Sequence, residues 1–207
     1  MADEQTAGRG RQGRRWEAPP GGALLASILL RPLAWAEGVP LAAGLAVTDA
    51  LAPLGVEASL KWPNDVIAGG GKLAGILAEV EPAATGPGVA VVLGIGVNLG
   101  IDGFPEGVVG ASLHRLLAPA PPPTPEELLT VLLPALASRM RALESGGIAV
   151  LLPDWRARAI GLGGAVVAET PGGRVEGRAV DIDAGGALLV ETDAGTVRLL
   201  AGDAHFI

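Results

Sequence analysis

Three stretches of this sequence carry residue types whose spacing could bind an anion and activate it. The first is Gly8-Arg9-Gly10-Arg11-Gln12-Gly13-Arg14-Arg15-Trp16, in which Arg9, Arg11, Arg14 and Arg15 crowd together. Alternating glycine and arginine gives a loop that bends freely, exposes backbone N–H groups and aims several guanidinium forks at one anion. Its glycines also satisfy the G-x-G-x-x-G spacing of a dinucleotide fingerprint, but that motif needs a strand before it and a helix after it. No strand precedes this loop, and Trp16 runs on into Pro19-Pro20-Gly21-Gly22. The dinucleotide reading fails on that context, and a solvated cationic tail stays as the plain alternative.

The second stretch is Lys61-Trp62-Pro63-Asn64-Asp65, followed by Lys72-Leu73-Ala74-Gly75-Ile76-Leu77 and then Glu79. Lys61 and Lys72 stand at strand edges flanking a hairpin, beside the turn that carries Asn64 and Asp65. Alternation counted from Lys72 puts Lys72 and Ala74 on one face, with Gly75 leaving room on the other. One lysine opening a strand is ordinarily just solvated. Two lysines, an aspartate and a glycine gap in one hairpin divide evenly between a site and a surface. The third stretch, Gly94-Ile95-Gly96-Val97-Asn98, ends an apolar run with two glycines and an amide, which marks either close approach of a ligand or tight packing. His114 and His205 lie far apart without matching acids and read as surface or packing residues. Trp35 and Trp155 read as core or interface anchors.

Elements that could position these groups follow from the hydrophobic pattern. Residues 23–31 form a nearly continuous apolar run, as a buried strand does. Pro40 opens a helix that Gly55 stops. Residues 58–62 read as a strand, Pro63-Asn64-Asp65 as a turn, and 66–80 as a hairpin through Gly69-Gly70-Gly71. Residues 88–99, rich in Val and Ile, form another buried strand. A loop over 100–123 holds a short helical piece near 112–117. Thr124-Pro125-Glu126-Glu127 then starts a helix with an N-cap, Pro at N1 and a capping-box Glu, running to about residue 144 with a kink at Pro134. A further helix spans about 148–159. Beyond Gly163-Gly164 the texture changes to four or five short strands in under fifty residues. The fold expected is α+β: a mixed, mainly antiparallel sheet with helices on one face over residues 1–160, and a small β-barrel over 161–207.

Composition narrows the functional classes. About half of the 207 residues (49%) are apolar and 18% are charged, as in a folded protein. The absence of cysteine excludes disulfides, thiolate metal sites and a thiol nucleophile. A net charge of −7 argues against general affinity for nucleic acid, and the local arginine cluster suits a small anionic ligand instead. No apolar run is long enough to span a membrane and the first residues lack a signal-peptide core, so a cytoplasmic protein is expected.

Taken in order and at these separations, the three stretches resemble the biotin protein ligases, whose pattern G-R-G-R-x-G-R-x-W, K-W-P-N-D, G-K-L-A-G-I-L-x-E and G-x-G-x-N is met almost letter for letter. The closing segment, with Gly177, Asp181, Gly185 to Leu189 and Ala201-Gly202-Asp203, resembles the family's SH3-like C-terminal domain. The resemblance implies a class II synthetase-like catalytic domain that uses ATP with Mg²⁺ to make biotinyl-5′-AMP. It then passes biotin to a lysine on the biotin carboxyl carrier domain of a carboxylase. It further implies that Gln5, Gly8, Arg9, Gly10 and Arg11 line the biotin end and close over the adenylate, and that Lys72 neutralises the carboxylate and the phosphoryl charge. Lys61 and Asp65 would serve the nucleotide and the acceptor, Gly75, Gly94 and Gly96 would lie against the ligand, Asn98 would stand near the triphosphate, and Trp16 would cover the adenine. Mg²⁺ would arrive with ATP near Asp65 or Asn98, without dedicated ligands.

Two departures from the family pattern bear on activity. No DNA-binding helix-turn-helix precedes the loop, so no DNA partner is expected. The helix and strand that usually precede the Gln, with a Ser-Thr-Asn-type segment contacting biotin, are also missing before Gln5. The rival readings are therefore a lipoate or octanoate ligase and a truncated, inactive relative that only binds the carrier. A homodimer through an exposed sheet edge rests on family analogy.

Overall fold

The computed structural model describes residues 1–82, 89–170 and 172–207. Gly88, expected to open a strand, lies outside the described residues. Strands β1 (Ala23–Leu33), β2 (Ala58–Lys61), β3 (Asp65–Ala68), β4 (Gly71–Pro82) and β5 (Val89–Asn98) form one sheet in the order β1-β5-β4-β3-β2. Every ladder in it is antiparallel. Among the described residues, parallel pairing is limited to isolated bridges at Leu60–Ala159 and Lys72–Gly110, so the mixed sheet expected becomes an antiparallel one. The β3–β4 hairpin turns at Gly69 and Gly70, whose φ values of 55° and 79° are left-handed and favour glycine.

Two helices cover one face of this sheet. Helix α1 (Val39–Leu51) carries Pro40 in its first turn and gives way to a short 3₁₀ turn ending at Gly55, where φ is 76°. It is apolar on nearly every side because it is a middle layer, buried against strands on one flank and a second helix on the other. Helix α3 (Pro125–Gly146) starts on the capping box read from the sequence. Thr124 N donates to Glu127 Oε2 at 2.8 Å and Glu127 N to Thr124 Oγ1 at 3.2 Å. Leu128, Leu132, Leu136, Met140 and Leu143 make its buried stripe. The helix continues through Pro134, whose ring lies on the exposed face where water can bond the carbonyl left free. Two shorter helices, α2 (Leu113–Leu116) and α4 (Leu152–Arg158), follow the loop and α3 respectively, and Trp155 on α4 is 2% exposed.

Strands β6 (Ala165–Thr170), β7 (Gly173–Ile182), β8 (Leu188–Thr192), β9 (Gly195–Leu199) and β10 (Asp203–Phe206) form a second antiparallel sheet in the order β10-β6-β7-β8-β9. It is docked firmly on the first. Trp62, buried between them, donates its indole N–H to Gly186 O at 3.1 Å. Arg156 on α4 forms a two-pronged pair with Asp181 on β7 at 2.6 and 2.9 Å. The apolar core runs without a break from α1 and the first sheet into Val166, Ala179 and Leu188.

Candidate active site between the strap and the first sheet

Simple alternation would put Lys72 beside Ala74, on the face away from Gly75. The structure reverses this. Val66 pairs with Ala74 but Ile67 pairs with Lys72, so Leu73 is an extra residue in β4. Such a bulge re-aims the side chain before it. Leu73 and Ala74 are consequently both fully buried, and Lys72 turns to the face of Gly75: a Cβ placed on Gly75 would lie 3.4 Å from Lys72 Cε. Lys72 Nζ thereby reaches 2.6 Å from Asp65 Oδ1, in an ion pair whose angles are too poor for a directed hydrogen bond.

Ladder register lays out the floor beneath this pair. Leu25, Gly96, Gly75 and Asp65 form one row across β1, β5, β4 and β3, and Ser27, Gly94 and Leu77 form the next. The Trp16 indole lies on the first row. A Cβ at Gly75 would come within 2.8 Å of its ring and one at Gly96 within 2.7 Å. Both glycines are thus needed for the close approach of an indole from the same chain. Above Gly94 a Cβ would meet only Leu77, at 3.6 Å or more, so that row stays open. Lys72 Nζ stands 5.8 Å from the Trp16 ring centroid, within cation–π range. The indole N–H is buried with no acceptor, an unsatisfied donor that a bound polar group would relieve.

Residues 5–16 cross the cavity as a strap, fastened through its arginines. Arg9 pairs with Glu79 on β4 at 2.8 Å, Arg11 donates to Asn64 Oδ1 at 3.3 Å, and Arg14 pairs with Asp203 on β10. Asn64 is in turn fixed by its own bond to Ile76 O at 2.7 Å. Burial pushes the Arg11 guanidinium below its ordinary pKa, Asp65 opposing this and Arg14 adding to it. A desolvated cation beside a second cation is a place prepared for an anion. Gly8 does not line the cavity. Its carbonyl accepts from Trp16 N at 3.1 Å and a Cβ there would strike Trp16 O at 2.3 Å, so it serves the crossing of the strap on itself.

Asn98 takes a task that its sequence position did not show. It is 4% exposed, and its Nδ2 donates to Lys72 O at 3.1 Å and Ala111 O at 3.0 Å. Its amide therefore ties the lysine's backbone to the loop that follows β5. That loop closes one side of the cavity with Phe104, Val108 and Val109, none of them foreseen. Ser27 and Leu77 flank the open glycine, and Asp203 and His205 border the cavity from β10. Only ladder register could have placed the first two, and only docking of the second sheet the last two. His114 is likewise not without an acid, since its Nε2 lies 2.9 Å from Asp102 Oδ1. Trp35 remains 40% exposed, packing on Gly147.

The cavity has a volume of about 950 Å³ and gathers Gln5, Arg9, Gly10, Arg11, Trp16, Lys61, Asp65, Lys72, Gly75, Gly94, Gly96 and Asn98. Cations converge on a glycine floor under a strap, and among the described residues no cluster of metal-ligating side chains is present. The fold and the site suit the binding of anionic ligands, by converging positive charge over a floor that admits them. Residues 1–98 match the Biotin/lipoate A/B protein ligase family, and residues 161–206 match the Biotin protein ligase C terminal domain. The Biotin--[acetyl-CoA-carboxylase] ligase of Mycobacterium tuberculosis is 40% identical over 213 residues, covering 98% of this chain and 76% of that one. A ligase of the same name from Paracoccus denitrificans is 40% identical over 190 residues, covering 82% of this chain and 74% of that one. The biotin protein ligase from Aquifex aeolicus, solved in complex with biotin and ATP, superposes with a TM-score of 0.84 at 27% identity, over 98% of this chain and 85% of the other. The chain belongs to the biotin protein ligase family.

Proposed function

We propose that this chain joins biotin to ATP and transfers the biotinyl group to a lysine of a carboxylase's biotin carboxyl carrier domain. The observation that carries the reading is the Lys72–Asp65 pair at 2.6 Å, set between the glycine floor and the strap. A biotin carboxylate oxygen attacks the α-phosphorus of ATP, the bond to the β-phosphate oxygen breaks, and pyrophosphate leaves. The acceptor amine then attacks the acyl carbon, gives up a proton, and expels AMP. Both steps pass charge through the neighbourhood of Lys72, whose ammonium stabilises it as it develops.

The open row at Ser27, Gly94 and Leu77 suits the biotin ring system, with Gln5, Arg9, Gly10 and Arg11 closing over it. The apolar wall beyond Asn98 suits adenine, and Trp16 on Gly75 and Gly96 stands between the two halves. Arg11 and Lys61 are the cations for phosphate. Asp65, beside Lys72, is a cavity carboxylate able to share Mg²⁺ brought by ATP, most of whose ligands are phosphates and water. Asn98, whose Nδ2 is held by Lys72 O and Ala111 O, keeps its Oδ1 as a second oxygen for that ion. Strand β1, at the edge of the first sheet, suits pairing with a second copy. A cytoplasmic setting follows from the carboxylase acceptor. The match of residues 161–206 to a biotin protein ligase domain favours biotin over lipoate. The test is transfer of labelled biotin to an isolated carrier domain with ATP and Mg²⁺, alongside lipoate. Labelling by biotin supports the reading, and labelling by lipoate alone, or by neither, overturns it.

A further inference from the structure

The loop after β5 carries unusually bare apolar side chains, Val109 at 73% and Val108 at 48% exposed, so burial does little to hold it in place. Its neck is held instead. Ser112, fully buried, donates its hydroxyl to Ile101 O at 2.8 Å. His114 Nδ1 lies 3.0 Å from the same Ser112 Oγ, and His114 Nε2 lies 2.9 Å from Asp102 Oδ1. Arg115 donates to Asp102 O and sets its guanidinium 3.7 Å from Asp102 Oδ1.

A Ser–His–Asp chain invites comparison with a hydrolytic triad, and the geometry rejects it. A triad needs an accessible serine facing Nε2 and a carboxylate on Nδ1. Here the serine is buried, its proton is committed to a carbonyl, and the ring is reversed. Because Ser112 Oγ spends its proton on Ile101 O, it can only accept from the imidazole. The arrangement is a clamp.

What the clamp holds leads back to the lysine. Lys72 N donates to Val109 O at 2.9 Å, and Lys72 O accepts from Ala111 N at 2.9 Å. The loop is therefore fixed at its start by Asp102 and His114 and at its end by the backbone of the residue that meets the reacting phosphate. We propose that Asp102 and His114 are positioning residues that set this loop where it walls the nucleotide. The proposal rests on the ligase reading above and assigns these two residues to the ATP half of the site.

Asp102 is 79% exposed on its side chain, so Asp102→Asn and Asp102→Glu leave the fold intact. Steady-state formation of biotinyl-AMP is measured against ATP and against biotin for these variants, for His114→Gln and for the double variant. The expected result is a KM for ATP raised about two- to fivefold, the range an exposed ion pair carries. KM for biotin should stay unchanged, Asp102→Glu should restore part of the loss, and the double variant should be no worse than the worse single one. An unchanged KM for ATP, equal rises for both substrates, or additive losses overturn the proposal. If the unsubstituted protein forms no biotinyl-AMP, the ligase reading fails instead.

Discussion

Lys72 reaches Asp65 only because Leu73 is an extra residue in β4. Without that bulge the ammonium would share the face of the fully buried Ala74, against the helical layer, where a lysine could not stay charged. With it, the ammonium lies partly exposed over the floor, 2.6 Å from a carboxylate that keeps it in place until an anion arrives.

Replacing Lys72 therefore removes the cation nearest the reacting centre while sparing the core. Lys72→Ala should lower the rate of biotinyl-AMP formation by about 10²–10³, the loss typical of deleting one stabilising donor. Asp65→Asn should cost less, since it frees the lysine but leaves its charge. Pyrophosphate release with biotin and ATP measures both, and thermal melting should show both variants folded. Near-normal rates in Lys72→Ala would remove the lysine from the mechanism.

The glycines of the floor separate by what lies over them. A Cβ at Gly75 or Gly96 meets the Trp16 ring at 2.8 or 2.7 Å, whereas one at Gly94 meets nothing closer than 3.6 Å. Gly75→Ala and Gly96→Ala should displace the indole and change tryptophan emission without any ligand. Gly94→Ala should leave emission alone and weaken biotin binding, because its methyl intrudes on the open row. Calorimetric titration with biotin reads the second effect. Equal biotin affinity in Gly94→Ala would place the ring system elsewhere.

How far the sequence led depends on the kind of fact. Hydrophobic period and capping residues placed β1, α1, α3 and four of the five closing strands, all but β10, since each is written in a local stretch such as Thr124 to Glu127. The three motifs line one cavity, which spacing alone leaves evenly open and the family resemblance implies. What stayed hidden is non-local. The bulge at Leu73 is a property of pairing between β3 and β4, and alternation alone assigned Lys72 to the wrong face. Asn98 looked like a ligand group because its bonds to Lys72 O and Ala111 O join segments 26 and 13 residues away. Asp102 and His114, twelve positions apart, met only through the loop's neck.

Acid should unfold the protein through carboxylates that folding holds ionised. Asp183 sits below the usual carboxylate range, first because of Arg198, then through the N–H groups of Gly185 and Ala187, with burial opposing. Asp154 is held low chiefly by Arg139. For Asp181 burial is the largest influence and acts upward, yet Arg156 and the Ile182 N–H together carry it below the usual range. A pKa lower in the folded than in the unfolded chain adds stability that is complete above the unfolded value of about 3.9 and lost as pH falls through the folded one. Melting temperature should thus be level at mildly acidic to neutral pH and drop below about pH 4. In Asp183→Asn the drop should be shallower and the neutral plateau lower. A plateau unchanged by that substitution would show the carboxylate contributes nothing to the fold.

The strap offers a readout that needs no chemistry. Arg9, Arg11 and Arg14 are each fastened to a different element, through Glu79, Asn64 and Asp203. Two of these fastenings are carboxylates, which compete with any anion the arginines bind, so the empty strap is held by contacts that a ligand must partly replace. Trypsin cleaves after arginine and reaches the strap only when it lifts from the sheet. Biotin with ATP, which together form the bound adenylate, should slow nicking between Arg9 and Arg15 more than either alone. Asp203→Asn should quicken nicking of the ligand-free protein, because it cuts the tie to β10, and the adenylate should restore most of the protection. Arg141→Gln, at an exposed position of α3, is the control and should change neither rate. If ligands leave the nicking rate of the unsubstituted protein unaltered, the strap does not close over them, and its arginines act from a position fixed before binding.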